Sequence, residues 1–410
     1  MTPGSTEARA SGEDRPGDAS GFRAAVLRAH GASGDEIPEL LRYTRRRFDD
    51  VRPGELPPLP LPDEPFVATW EGYVADVEDG RRPLEVLRED LVQLRFPVAE
   101  GMSGHPVYTA AVRKGVVPGG GVVRGGLELE RPDELRMEIR RTPAGGLPFL
   151  LPGCREDFRR ILRAVVHQNE PVPIPDAVGA TIVSGYNNWG RVRAHRRRWE
   201  RNGRGEGDGS WAEEFRRLRE RKELYQDRFV VASPGRYSGV PAGDLGLEPE
   251  AWRETSLRLR VAHEAAHYVT RRLLGAMGNF LHDELIADYA GIVTVRGAFR
   301  GDWFLRFMGL RDHPRFRPDG RLAAYRGEPE LSEGAFRVLR SMVVSAARSL
   351  EKAKGAWNEP FRGPADRARR LAALAGLALE EIAAPDGARR LEAALSGRRP
   401  GRSPDAPCSI

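Results

Sequence analysis

The stretch His263-Glu264-Ala265-Ala266-His267 is the part of this sequence that best predicts its fold and its chemistry. It acts together with a second stretch further along the chain, Leu281-His282-Asp283-Glu284-Leu285-Ile286-Ala287-Asp288. Residues four apart on an α-helix share a face, so the two histidine side chains point the same way. Both imidazoles can then hold one metal ion, and the glutamate between them can reach a water bound to that ion. The pattern predicts a metal-binding helix.

This helix is predicted to span Thr255 to Leu274. Thr255 and Ser256 are favoured N-cap residues, and Gly275 stands where a left-handed residue commonly ends a helix. On such a helix His263 and His267 lie one turn apart, about 6 Å from each other. Two neutral imidazoles at that separation suit a tetrahedral ion such as zinc.

A third ligand is predicted on a second helix, Leu281 to Val295. Glu284 follows His267 after 16 intervening residues, and the short segment 276–280 lets the second helix fold back on the first. Asp288 shares a helix face with Glu284 and is predicted to accept a hydrogen bond from the N–H of one histidine. His282 and Asp283 compete with Glu284 as ligands, but we expect them at the helix start and on the surface.

These residues resemble the gluzincins, the thermolysin-like zinc metallopeptidases, whose signature is H-E-x-x-H followed by E-x-x-x-D. The resemblance covers Ala262 to Gly291 and the flanking residues. It implies that His263, His267 and Glu284 bind Zn²⁺, that Glu264 is the catalytic general base, and that Asp288 supports a ligand from behind. It also implies a zincin-like fold, so we expect an α+β protein with a mainly helical metal-binding core and a small preceding β element. The same ligands accept manganese, cobalt or iron.

Composition along the chain predicts four regions. Residues 1–20 are rich in small, polar and charged residues and are predicted to be a disordered leader. Residues 21–152 are predicted to be a mixed α/β region with a Pro-rich strap at 53–65. The metal-binding catalytic domain is predicted at 153–360, and C-terminal helices with a frayed tail at 361–410.

Charge and cysteine content restrict the class of protein. The net charge of +6 is a mild excess for 410 residues, and the basic run from Arg191 to Arg198 is predicted to be a solvated helical face, so a nucleic-acid partner is not expected. Two cysteines are too few for a disulfide framework. Neither a signal-peptide pattern nor a long apolar run is present, so we predict a cytoplasmic protein without a membrane partner.

The sequence leaves three functions open. The first is a zinc-dependent hydrolase, above all a metallopeptidase that cleaves a peptide or amide bond with Glu264 as general base. The second is a zinc enzyme that processes a small-molecule amide in biosynthesis. The third is a binding or regulatory protein with a closed, four-coordinate structural zinc, to which His282 or His313 would contribute the fourth ligand.

A group that stabilises a developing negative charge is also needed for amide hydrolysis. The segment from Arg311 to Tyr325 is dense in polar residues, and His313 and Tyr325 are its candidates for this role. Tyr186 and Tyr237 remain open. The sequence specifies neither the substrate nor the oligomeric state.

Overall fold

The computed structural model describes residues 19–48, 53–116, 126–202, 210–276 and 280–397. The predicted leader lies outside these residues except for its last two positions, where the first helix begins. Most of the predicted frayed tail, from residue 398 onward, also lies outside them.

The described residues form fifteen α-helices and one sheet of four strands. The helices are Ala19–Ala29 (α1), Glu36–Tyr43 (α2), Val67–Glu78 (α3), Pro83–Asp90 (α4), Pro106–Lys114 (α5), Arg155–Val165 (α6), Trp189–Arg201 (α7), Trp211–Glu220 (α8), Pro249–Leu274 (α9), Leu281–Arg296 (α10), Gly301–Met308 (α11), Glu333–Lys352 (α12), Pro364–Ala375 (α13), Leu379–Ala383 (α14) and Gly387–Leu395 (α15). The strands are Arg136–Thr142 (β1), Gly145–Leu151 (β2), Ala180–Asn187 (β3) and Gln226–Ala232 (β4). The prediction of an α+β protein is confirmed at this level. None of the helices in the described ranges combines the length and the apolar character that a membrane span requires.

The sheet has the order β1-β2-β4-β3, and it takes two strands from each side of the predicted boundary at residue 152. β1 and β2 form an antiparallel hairpin, β2 runs parallel to β4, and β3 is antiparallel to β4. The sequence does not predict the hairpin. β2 is buried along its whole length, so it lacks the alternation of polar and apolar residues, and its Pro148 argues against a strand.

Two apolar layers cover the sheet. Successive side chains of a strand point to opposite faces, so Val230 of β4 packs in the layer that contains α9, and Phe229 and Val231 pack in the layer that contains α3 and α6. The layer around α9 also holds α10, α11, α12 and α13. Helices α9 and α10, which carry the predicted ligands, therefore lie between the sheet and the C-terminal helices.

Helix α9, the predicted metal-binding helix, begins at Pro249, six residues before the predicted start, so the prediction of an N-cap at Thr255 or Ser256 was wrong. Proline is favoured at the first helical position because it has no N–H to leave unpaired. Ser256 is instead fully buried inside the helix, where its Oγ accepts a hydrogen bond from the Tyr237 N–H at 3.2 Å. The predicted end is confirmed, since Gly275 has a left-handed φ of 70°.

Helix α10 begins at Leu281 as predicted, and the middle of the predicted turn before it, residues 277–279, lies outside the described residues. The two helices approach closely at Gly291. A Cβ atom at this position would lie 3.1 Å from the Leu259 carbonyl oxygen of α9. Glycine thus permits the short distance between the helices that brings Glu284 to the histidines.

The first helices pack against the last ones. Arg23 of α1 forms an ion pair with the buried Glu380 of α14 at 3.0 Å, across 357 positions of sequence. The Tyr43 hydroxyl at the end of α2 donates a hydrogen bond to the Tyr325 carbonyl oxygen at 2.5 Å. Helix α1 is therefore tied to α14, and the end of α2 is tied to the segment that precedes α12.

Candidate metal centre

The structure brings the three predicted ligands together in the buried space between α9 and α10. The Nε2 atoms of His263 and His267 are 3.0 Å apart. The Glu284 carboxylate places Oε2 3.5 Å from His263 Nε2, and Oε1 3.6 Å from His267 Nε2. Ligands at 2.0–2.1 Å from a tetrahedral zinc are about 3.3 Å apart. The spacing of the two imidazole nitrogens and the Glu284 carboxylate oxygens therefore fits a tetrahedral first-row ion.

The protonation of the two imidazoles favours a cation at this point. Each Nδ1 atom lies within hydrogen-bond distance of a carboxylate oxygen, Asp288 Oδ1 at 3.0 Å for His263 and Asp283 Oδ2 at 2.8 Å for His267. An ionised carboxylate can only accept, so both N–H groups lie on the Nδ1 side. Both Nε2 lone pairs then face each other and the Glu284 carboxylate. Three electron-rich atoms in one buried space require a positive charge between them.

The raised pKa of His267 also indicates that this buried space favours a positive charge. Burial lowers the pKa of this imidazole, but the charges of Asp283 and Glu284 outweigh that effect and raise the pKa to about 10. Without a metal, a proton therefore supplies the cation at neutral pH. Imidazole and carboxylate are the ligands that zinc shares with manganese, cobalt and iron, so the donor set admits these ions. A buried group that can hold a metal ion is thus present.

Asp288 has the position that the sequence predicts, behind His263. It is fully buried, and its second oxygen is paired with the guanidinium of Arg321. Burial raises the pKa of the Asp288 carboxyl, but Arg321 and His263 outweigh this and hold the pKa below its usual range. Asp288 thus remains ionised and fixes the imidazole of His263.

Tyr237 and Arg321 complete this side of the centre. The Tyr237 hydroxyl donates to Asp288 Oδ1 at 2.6 Å, lies 2.8 Å from His263 Nδ1, and accepts from Arg321 Nη1 at 2.8 Å. Burial raises the pKa of Tyr237, so the hydroxyl keeps its proton. The Tyr237 hydroxyl lies on the Nδ1 side of His263. Arg321 pairs with Asp288 and also comes within 4.0 Å of Glu284 Oε2, so its charge acts on a predicted ligand as well.

Asp283 and His282 do not lie on the surface, and that prediction was wrong. Asp283 is fully buried, and it accepts hydrogen bonds from His267 Nδ1 and, at 3.0 Å, from the Thr270 hydroxyl. His282 donates through Nε2 to the Leu374 carbonyl oxygen of α13 at 3.1 Å and packs against Phe48. The first three turns of α10 are buried except for the partly exposed His282, and the helix reaches solvent only in its last turn, at Thr294 and Arg296. The predominantly apolar sequence of α10 was the signal for this burial.

Glu264 is the least buried of the five predicted site residues. Among the described residues no group forms a hydrogen bond with its carboxylate. Its negative charge acts on Arg260, one turn earlier on α9. Burial lowers the pKa of Arg260 to about 10, and the charge of Glu264 offsets part of this lowering. Arg260 itself donates to the carbonyl oxygens of Ser233 and Gly235 and ties α9 to the end of β4. The carboxylate of Glu264 is therefore not held in place by the described side chains.

The structure separates the candidates for stabilising a developing negative charge. Tyr325 lies at the centre, where burial and a hydrogen bond with Glu284 raise the pKa of its hydroxyl. Tyr186 points to the opposite face of the sheet and bonds to Gln93. The imidazole of His313 has a lowered pKa because of burial and of the neighbouring Arg340 and Arg348. Tyr325 is the only one of these three in contact with a predicted ligand.

A fourth protein ligand is not found within the described ranges. The group of side chains that can share one ion there consists of His263, His267 and Glu284. His282 faces α13, and His313 is surrounded by arginines. Sequence reasoning placed Asp283 on the surface, left Tyr237 open only as a group that stabilises a developing charge, and did not single out Arg321; their support of the two histidines depends on tertiary contacts.

A buried pair of helices with two histidines, one glutamate and two supporting aspartates defines a candidate metal-binding protein. The chain belongs to DUF7005, a family of unknown function, whose model matches residues 25–386 and so includes the whole centre. No curated protein and no solved structure gives a significant match to the chain.

Proposed function

We propose that the protein is a zinc-dependent hydrolase with a zincin-like core that cleaves a peptide or amide bond. The observation that carries the proposal is the convergence of the His263, His267 and Glu284 side chains, with nitrogen–nitrogen and nitrogen–oxygen distances of 3.0 to 3.6 Å. The negative charge of Glu264, which lies between the two histidines in sequence, also acts on His267. Three protein ligands leave one position of a tetrahedral ion open, as catalytic zinc sites do.

The residues of the chain have distinct tasks in this proposal. Zinc, when bound, supplies Lewis acidity and lowers the pKa of a water. Glu264 accepts a proton from the attacking water and returns it to the leaving nitrogen. Asp283 and Asp288 hold the Nδ1–H groups of the histidines, so that each Nε2 atom keeps its lone pair for the metal. Arg321 offsets part of the negative charge that the carboxylates bring into the buried site.

Two alternatives remain as proposals for the same centre. A small-molecule amide in a biosynthetic reaction would use the same ligands and the same base. A structural zinc would need a fourth protein ligand. Among the described residues three side chains converge here, which supports a catalytic zinc site. We also propose a cytoplasmic location, because two cysteines cannot build a disulfide framework.

The first test is the metal content of purified protein by elemental mass spectrometry. We expect about one zinc per chain in the wild type and in Glu264→Gln, and none in His263→Ala, because a catalytic site needs three ligands. His195→Ala is the matched control, since His195 on α7 pairs with Glu214 away from the centre. Equal metal in His263→Ala and His195→Ala would contradict the ligand assignment.

The second test is a comparison of peptides and small amides as substrates. Glu264→Gln should keep its zinc and lose about 10²–10⁴-fold of the activity. Glu254→Gln, an exposed position on the same helix, should retain it. A Glu264→Gln variant with full activity would exclude the proposed base. A wild type that holds zinc, hydrolyses none of these substrates and unfolds on chelation would favour the structural alternative.

A further inference from the structure

A cavity of about 270 Å³ lies beside α11, apart from the metal ligands, and arginines dominate its walls. Its charged lining residues are Arg306, Arg311, Arg315, Arg317, Asp244 and Asp312. Four arginines and two aspartates thus line the cavity. Arginine is never deprotonated in proteins, so the cavity carries an excess of positive charge at any physiological pH.

The two aspartates do not neutralise this charge effectively. Arg311 is the lining arginine nearest to both carboxylates, at 4.0 Å from Asp244 and 3.9 Å from Asp312, which is beyond hydrogen-bond distance. Arg317 points its Nε toward the exposed Asp319 at 3.1 Å, but that atom has no hydrogen bond of acceptable geometry.

Arg306 gives the strongest indication of a missing partner. Its Nε and Nη1 atoms are buried, and no acceptor in the described part of the chain bonds to either. Neither Arg306 nor Arg315 has an ion pair with a described carboxylate. A buried donor without a partner costs about 1–3 kcal/mol, and more when it is charged. Proteins seldom tolerate such a group unless a ligand or water satisfies it.

We propose that this cavity binds the oxyanion of a small ligand, a phosphoryl or carboxylate group. The guanidinium edge presents parallel N–H donors that match two oxygens of such a group. The volume of about 270 Å³ is slightly below that of pockets for drug-sized ligands, about 300–1,000 Å³, so it suits a small anion. The site does not require the metal centre to be catalytic, because none of its lining residues is a predicted ligand.

The cavity and the metal centre share structural elements. Phe307, which follows Arg306 on α11, packs its ring against Tyr237 with centroids 4.9 Å apart. Arg317 of the cavity precedes Arg321, the partner of Asp288, by four residues in the same segment. An anion that fixes Arg306 and Arg317 therefore acts on elements that also support His263.

The test is isothermal titration of the full chain with inorganic phosphate and, separately, with succinate, against chloride at matched ionic strength. We expect saturable binding of at least one of them to the wild type and at least tenfold weaker binding to Arg306→Gln and Arg315→Gln. Arg300→Gln is the control, because Arg300 is exposed and pairs with Asp302 outside the cavity. Two arginine variants keep the test valid if one of them folds poorly.

The two titrants distinguish the sources of the oxyanion. Binding of phosphate alone assigns the cavity to a phosphorylated ligand, and binding of succinate alone assigns it to a carboxylate. Absence of saturable binding for both titrants would overturn the proposal. Equal weakening in Arg300→Gln, or unchanged affinity in Arg306→Gln and Arg315→Gln, would overturn it as well, since binding would then depend on general charge.

Discussion

Replacement of Asp283 by asparagine tests whether the buried carboxylate behind His267 tunes the metal centre. The change is nearly isosteric. The amide oxygen can still accept from His267 Nδ1, and the amide nitrogen can donate to the Thr270 hydroxyl, which is 3.0 Å from Asp283 Oδ1. The substitution therefore removes one negative charge and leaves the geometry of the imidazole in place.

The expected loss follows from distances within the centre. Asp283 Oδ2 is 2.8 Å from His267 Nδ1, which places the carboxylate about 6.5 Å from an ion bound at Nε2 with the usual zinc–nitrogen distance. At an effective dielectric constant of about 20, its attraction to a divalent ion is about 5 kcal/mol. Zinc must displace a proton from His267. This proton carries one charge and lies nearer to Asp283, at about 4 Å, so the substitution removes about 4 kcal/mol of its attraction to the carboxylate.

The substitution thus removes about 1 kcal/mol more attraction from zinc than from the competing proton, which predicts a loss of zinc affinity of about fivefold. Weaker basicity of the imidazole extends this loss toward the 10–100-fold that is typical of such supporting residues. The assay is competition against a chromogenic chelator at pH 7.5. Asp302→Asn, at an exposed position of α11, is the control. Affinities of Asp283→Asn and Asp302→Asn within twofold of each other would refute the reasoning.

Proton release gives an independent measure of the same effect. The pKa of His267 is raised to about 10, so the metal-free wild type holds a proton on this imidazole at pH 7.5. Zinc binding must release that proton. Without the charge of Asp283 the pKa of His267 falls, and we expect less proton release from Asp283→Asn. Calorimetry in two buffers of different ionisation enthalpy measures the number of protons, and equal numbers for both proteins would contradict the assignment.

Three further perturbations test packing, titration and chemistry. Gly291→Ala places a Cβ atom 3.1 Å from the Leu259 carbonyl oxygen and should lower the free energy of unfolding by about 1–3 kcal/mol. The control Gly72→Ala, at an open helical position, should raise it by up to about 1 kcal/mol. Equal urea midpoints for the two variants would contradict the close contact between the helices. Burial lowers the pKa of His282 to about 4, so the unfolded chain binds the proton first and stability falls by up to about 3 kcal/mol as the pH drops from 6.5 toward 4. His282→Gln should flatten this decline in urea unfolding at pH 7.5, 6 and 5, and an unchanged slope would exclude the assigned burial. Tyr325→Phe should keep its zinc but lower hydrolysis by about a hundredfold if its hydroxyl stabilises the developing charge; full activity with the best substrate of the screen would remove it from that role.

The convergence of the three candidate ligands could be predicted from the sequence because helical spacing is local. His263 and His267 share a face on any α-helix, and the glycine after Leu274 marks the end of that helix. Glu284 required only one additional inference, that the second helix folds back on the first. The start of α9 was misjudged because Thr255 and Ser256 are good caps in isolation, while Pro249 fixes the helix start in the folded chain.

The supporting groups could not be predicted because they depend on tertiary contacts. Tyr237 and Arg321 bond to Asp288 from positions 51 and 33 residues away, and no local sequence pattern indicates these contacts. Asp283 was placed on the surface because polar residues at a helix start commonly lie there. The hairpin of β1 and β2 was missed for a related reason, since full burial removes the alternation by which strands are recognised.

The contact of the first helices with the last ones has a consequence for the order in which the protein folds. The motif-bearing helices α9 and α10 are synthesised before α14, which pairs with Arg23 across 357 positions. Contacts of such separation form late, because the entropy of closing the intervening chain must be offset first. The hydrogen bond from Tyr43 to Tyr325, across 282 positions, belongs to the same closure. We therefore expect a nascent chain to present its two histidines before the segment around Tyr325 is held in place, so that metal capture can precede the completion of the site.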